Sequence, residues 1–202
     1  MIKFATKLFI TITLLFASAI SFAQEVNTKN PYQLIMSLGE QVFQAVSEAK
    51  QQNANTPEQM AKLVDELMMP YIDVPFASYK ILGSQLKKTT KDERKNFVAA
   101  MEKDLIKTYS AALAQYNNQT ITYEPEKKVG KKKTVAVRTV LVSPEAPEID
   151  MIFKLRKNKK TGQWKAYDLV VEGISLVDSK RAEFAKPLRD KGVSHVTEMI
   201  SR

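Results

Sequence analysis

Thr134-Val135-Ala136-Val137-Arg138-Thr139-Val140-Leu141-Val142 and Ile149-Asp150-Met151-Ile152-Phe153-Lys154-Leu155-Arg156 decide the fold. Both stretches alternate at the period of two that a half-buried strand requires. In the second, Asp150, Lys154 and Arg156 point one way, which sends Ile149, Met151, Phe153 and Leu155 the other. In the first, Arg138 faces out while Val135, Val137, Thr139 and Leu141 face in. One whole sheet face is therefore apolar. Two flanking stretches, Thr120 to Glu124 and Trp164 to Val171, are also short and rich in β-branched and aromatic residues. Turn signals at Gly130, at Pro144 and Pro147, and at Asn158 to Gly162 separate the four. They predict a four-stranded antiparallel meander.

Upstream the period changes to that of helices. Asn30-Pro31 supplies an N-cap followed by proline at the first helical position, and Leu34, Leu38, Val42 and Val46 recur every four residues. Thr56-Pro57-Glu58-Gln59 has capping-box spacing ahead of Met60, Leu63, Val64, Leu67 and Met68, and Pro70 ends that helix. A third, short helix is expected from near Pro75 to Leu82, with Gly83 as its stop. Thr90-Lys91-Asp92-Glu93 is another capping box and opens the longest helix, expected to run to about Tyr116, where Asn117-Asn118 stops it. Phe97, Met101, Leu105, Tyr109 and Leu113 share one face of that helix, and the helical half adds Tyr71, Phe76, Tyr79 and Ile81. After Gly173 a helix carries Phe184 and Leu188, Gly192 interrupts it, and a last short helix carries Val196, Met199 and Ile200. The pattern predicts a single α+β domain, helices first, a curved four-stranded sheet second and helices at the C-terminus.

Lys3 and Lys7 precede a run without charge from Leu8 to Ala23, closed by Ser21-Phe22-Ala23. This is the pattern of a cleaved signal peptide over residues 1–23, with residues 24–202 as the mature domain and the periplasm as its expected location. Removing residues 1–23 takes away two lysines and no acid, so the formal charge falls from +9 to +7. Export demotes nucleic acid as the partner of that charge and favours anionic lipid or an acidic protein surface. Basic residues concentrate in two hairpin turns: Lys127, Lys128, Lys131, Lys132 and Lys133 in one, Arg156, Lys157, Lys159 and Lys160 in the other. They are expected at opposite ends of the second and third strands, subject to how the Pro144 to Pro147 turn folds. Such turns either protect sheet edges as solvated loops or dock to acidic partners or anionic headgroups.

No catalytic constellation emerges. The chain has one His, at position 195 in a terminal helix, and no Cys, so no zinc or redox-metal ligand set is expected. Gly130-Lys131-Lys132-Lys133 is a basic turn and not a phosphate-binding loop. Asp168 and Glu172 are the acids of the fourth strand and its exit. A buried carboxylate there is in principle a general base, which keeps an enzyme reading open; the plainer role is to accept hydrogen bonds and to cap the turn at Gly173. The apolar sheet face and the long helix are either a packed core or a lined cavity, and periodicity does not separate the two.

Several segments in order resemble the MlaC family, also known as the toluene-tolerance or Ttg2 family of periplasmic phospholipid carriers. They are Asn30-Pro31-Tyr32; Val64-Asp65 through Leu67 to Pro70-Tyr71; Ile81-Leu82-Gly83; Arg94 with Phe97; Leu105 with Tyr109; and Leu113 with Tyr116. The most specific is Trp164-Lys165-Ala166-Tyr167-Asp168 leading to Glu172-Gly173-Ile174-Ser175. The chain departs from the family at Ser84, Gln85 and Met101, where aromatics are common, and this bears on pocket shape. The resemblance implies an NTF2-like fold enclosing phospholipid acyl chains, no catalysis and no cofactor. It implies a lining drawn from Tyr79, Leu82, Met101, Leu105, Tyr109 and Leu113 on the helices. The sheet and its exit would add Val137, Thr139, Leu141, Met151, Phe153, Leu155, Tyr167 and Ile174. It also implies docking to an inner-membrane ABC transporter complex with an MCE-domain subunit and to an outer-membrane lipoprotein-porin complex.

Overall fold

Each start signal read from the sequence opens a helix. The computed structural model describes residues 26–201, so the expected signal peptide lies outside the described residues. The Asn30 side chain accepts from the amides of Tyr32 (2.9 Å) and Gln33 (3.3 Å) and opens α1, Pro31–Gln51. Thr56 and Gln59 form a reciprocal capping box at the head of α2, Pro57–Leu67. A single 3-10 turn, Met69–Tyr71, then leads into α3, Val74–Leu82, whose N-cap Asp73 accepts from the Phe76 amide at 3.1 Å. Gly83 ends α3 with φ +53, and the chain continues as a 3-10 segment to Lys88. Thr90 and Glu93 cap α4, Lys91–Ala114, which stops two residues short of the expected Tyr116. At 1.5 Å per residue its 24 residues span about 36 Å, long enough to cross the molecule.

The sheet has five strands and not four, in the order β1-β2-β3-β4-β5, every pair antiparallel. They are β1 Thr120–Tyr123, β2 Thr134–Val142, β3 Ile149–Lys157, β4 Trp164–Val171 and β5 Ile174–Ser175. The additional strand returns from β4 through Glu172 and Gly173, both with positive φ (48° and 79°), as in a type I′ hairpin. Two residues are too few to show an alternating pattern, so the sequence could not reveal it. Between β3 and β4 the register slips: Lys154 faces Asp168 but Leu155 faces Ala166, which leaves Tyr167 as a bulged residue. The exposed edge of β4 is closed by the chain before α3, where the Asp73 amide donates to the Ala166 carbonyl at 2.7 Å.

Both lysine hairpins lie at the same end of the sheet. Thr134, which follows the first, pairs with Arg156, which precedes the second, and the Lys157 amide donates to the Lys133 carbonyl at 2.9 Å. The expectation of opposite ends is corrected by the parity of a meander, in which alternate turns return to the same end.

After Ser175 caps it, α5 runs from Leu176 to Ile200 with a break at Gly192 (φ 82°, ψ 176°). That bend brings Val193 and Val196 back into the core formed by α3, α4 and α5 around Phe97, Ile81 and Phe184. A second core joins α1 to the sheet through Leu34, Ile35, Val137, Leu155 and the fully buried Trp164. The third joins α1 to α2 through Val42, Val46 and Met60. Each fully buried side chain of this kind contributes about 1.5–3 kcal/mol. The first and third clusters meet at Met68 and Leu113.

Candidate lipid-binding cavity

Along α4, Met101, Leu105, Tyr109 and Leu113 follow one another at four-residue spacing and look onto the inner face of the sheet. Opposite them stand Leu141 of β2 and Ile149, Met151 and Phe153 of β3, all facing inward yet only half-buried. Further along the same face, Val137, Thr139 and Leu155 are fully buried. The difference is what stands in front. At the Trp164 end, α1 lies on the sheet with Leu34 and Ile35; toward the other end lies a cavity of about 570 Å³. That lies within the ~300–1,000 Å³ of ordinary ligand pockets.

The remaining walls come from α1, β1 and α3. Gly39 of α1 permits the close approach of β1: a Cβ there would stand 2.3 Å from the Tyr123 hydroxyl oxygen, so only glycine lets that ring lie against the helix. Burial, with the charge of Glu40 behind it, pushes the Tyr123 hydroxyl up to about 12. Tyr109 reaches about 12 as well, first through desolvation and then through the negative charge of Asp168. Both phenols are therefore neutral at physiological pH. Ser78 of α3 presents a buried hydroxyl to the same space. Charge appears at the rim, where Lys180 of α5 bridges Asp104 of α4 (3.1 Å) and Glu183 (3.6 Å).

Asp168 holds the far wall together. Its side chain, 2% exposed, accepts from Lys154 Nζ (2.8 Å), the Ser175 hydroxyl (2.7 Å) and the Val177 amide (3.1 Å). One carboxylate thus ties β3, β4, β5 and the first turn of α5, which accounts for the aspartate and serine of the Tyr167-Asp168 to Gly173-Ile174-Ser175 stretch. The hydrogen bond to Asp168, followed by its charge, holds the Lys154 ammonium pKa above the usual lysine value. Glu172, at the turn, accepts from the Asp150 amide on the neighbouring strand. Among the described residues no three His, Cys, Asp or Glu side chains gather around a common point.

Of the residues expected in the lining, Met101, Leu105, Tyr109, Leu113, Leu141, Met151, Phe153 and Tyr167 meet at the cavity. Leu82 lies in the helical core, while Val137, Thr139 and Leu155 lie where the sheet is already covered. Tyr79 and Ile174 face solvent, at 37% and 63% exposure. The sequence reading missed Leu38, Gly39 and Phe43 of α1, Tyr123 of β1, and Lys180 at the rim. The apolar repeat of α1 was visible, but nothing in it distinguished packing against α2 from facing a void.

The helices and antiparallel sheet of this α+β fold thus surround an apolar cavity, the architecture of a candidate binding protein for an apolar ligand. The chain belongs to the MlaC family, whose model, "MlaC protein", matches residues 21–202. It is similar to the intermembrane phospholipid transport system binding protein MlaC of Haemophilus influenzae, 28% identical over 166 residues, with 81% of this chain and 77% of that protein covered. It is also similar to the toluene tolerance protein ttg2D of Pseudomonas putida, 23% identical over 173 residues, with 83% and 77% covered. The fold matches that of a phospholipid-binding protein from Ralstonia solanacearum solved in complex with a phospholipid. That match has a TM-score of 0.75 at 20% identity and covers 85% of this chain and 94% of that one.

Proposed function

We propose that this protein is a soluble periplasmic phospholipid carrier and not an enzyme. In this reading it holds acyl chains in the cavity between α1, α4 and the sheet. It passes the lipid between an inner-membrane ABC transporter complex with an MCE-domain subunit and an outer-membrane lipoprotein-porin complex, and so maintains outer-membrane lipid asymmetry. The cavity of about 570 Å³, walled mainly by apolar side chains such as Leu105, Tyr109, Leu113, Met151 and Phe153, with the charges of Asp168, Asp104 and Lys180 held in ion pairs, is the observation that carries the reading. The relatives named for phospholipid transport and phospholipid binding support it. The NTF2-like fold implied by the resemblance suits the task, since a sheet faced by helices leaves room for acyl chains between the two layers.

Exposing lipid chains to water costs about 0.8 kcal/mol per CH₂, on the order of 20 kcal/mol for a whole lipid. Unaided diffusion between membranes is negligible at that cost. A carrier removes the penalty by burial, and release then requires docking to a second apolar conduit of similar affinity. Native mass spectrometry of protein purified without detergent is expected to show a bound phospholipid mass. An empty protein, or one carrying a different apolar solute, would count against this function.

A further inference from the structure

The parity of the meander gathers the two basic hairpins into one surface, and nothing in the cavity uses it. Residues 126–133 and 156–163 carry eight lysines and Arg156 against the single acid Glu126, and Lys29 joins them from the segment before α1. The eight lysines are exposed. The acids nearby are already engaged: Glu126 accepts from Asn30 and Gln33, and Glu124 accepts from Lys127 and from the Arg138 amide. Among the described residues Lys128, Lys131, Lys132, Lys133, Lys159 and Lys160 have no carboxylate within ion-pair distance. The hairpins are held in place. Asn158 accepts from the amides of Lys160 (2.8 Å) and Thr161 (3.2 Å), and Lys29 Nζ donates to the Thr161 carbonyl at 2.6 Å.

We propose that this end of the sheet is a peripheral docking surface for an anionic lipid bilayer, separate from the lipid-holding cavity. The side-chain chemistry selects a bilayer over an acidic protein. Protein interfaces are enriched in arginine and aromatic residues and depleted in lysine. Here lysine dominates, Arg156 is taken by Asp73 (3.5 Å) and by the Phe76 ring, and Trp164 is buried. A lysine ammonium is a hydrated point charge suited to diffuse attraction, and each one near an anionic surface multiplies partitioning roughly fivefold. No large exposed apolar side chain lies in either hairpin, so attachment is by charge alone and reversible. β2 spans about 26 Å from Thr134 at this end to Val142, and none of the hairpin lysines lines the cavity, so attachment leaves the lipid site free.

The test is co-sedimentation of the purified protein with phosphatidylcholine vesicles, with and without phosphatidylglycerol. Binding is expected only with phosphatidylglycerol, and it should vanish as salt approaches about 1 M. Replacing Lys128, Lys131, Lys132 and Lys133 by Gln should lower partitioning at least roughly tenfold. A charge-matched control replacing Lys87, Lys88, Lys91 and Lys95 by Gln should lower it far less. Lipid content by native mass spectrometry should be the same in both variants, which separates this surface from the carrier function. Equal losses in the two variants would mean that binding follows net charge and would overturn the proposal. So would equal binding to neutral vesicles, or absence of vesicle binding alongside retention on an acidic polypeptide.

Discussion

Asp168 accepts three hydrogen bonds from three different elements while almost wholly removed from water, so its charge and its geometry both matter. Asp168→Asn keeps the size but turns an amide group toward donors and leaves Lys154 without its partner. Removing one member of a buried pair typically costs about 3–5 kcal/mol; Lys154 is 35% exposed and regains water, so a loss of about 2–3 kcal/mol in urea unfolding is expected. Unchanged stability with loss of a measurable turnover would instead point to chemistry at this carboxylate. The two raised tyrosines set the alkaline limit. Tyr109 and Tyr123 ionise near 12 when folded and near 10 when unfolded. Their contribution is therefore intact below about pH 10 and is lost as pH rises through about 12. Tyr109→Phe should move the onset of alkaline unfolding to higher pH, and an unmoved onset would contradict the burial of that hydroxyl.

Element boundaries were set by short-range chemistry that the sequence displays openly. Thr90 and Glu93 satisfy each other's backbone amides at the head of α4, and Thr90→Ala should cost about 1 kcal/mol in thermal or chemical unfolding. The hydrogen bonds from Thr90, backbone first, hold the Glu93 carboxyl below its ordinary value, so this cap is at full strength above the ordinary carboxylate range and fades as pH falls. The break in α5 is equally local. At φ 82° and ψ 176°, Gly192 occupies a region that only glycine enters freely, and Gly192→Ala should cost about 1–3 kcal/mol. Gly130→Ala, at φ +57° in an open turn with nothing within 4 Å of the added Cβ, should cost about 1 kcal/mol. If the two alanine variants melt together, the bend in α5 is not held by backbone conformation.

At the scale of the whole molecule, the unfilled space between the three cores governs what a substitution does. Met151 borders the cavity, so Met151→Glu should give a folded, cooperatively melting protein that has lost its lipid, because the charge finds water in the empty protein but not among acyl chains. Ile174 is 63% exposed, and Ile174→Glu should keep both fold and lipid. Leu155 faces inward at the covered end, so Leu155→Ala should cost about 2–5 kcal/mol and leave the lipid in place. Native mass spectrometry beside a denaturation curve separates the three outcomes, and retention of lipid by Met151→Glu would remove the cavity as the binding site.

The sequence by itself determined the main helices, the caps at Asn30, Thr56 and Thr90, four of the five strands and the inward direction of the alternating residues of β2 and β3, because propensity, capping and periodicity are properties of neighbouring positions. It also contained the gathering of the lysine hairpins, since strand parity follows from the order of turns. Only the tertiary structure decided which inward residues are core and which are cavity. Phe153 and Leu155 share a strand, a face and an apolar character, yet Leu155 is covered by α1 and Phe153 borders open space. Periodicity reports the direction of a side chain relative to its own element. What stands opposite depends on where a helix more than a hundred residues away in the chain comes to rest.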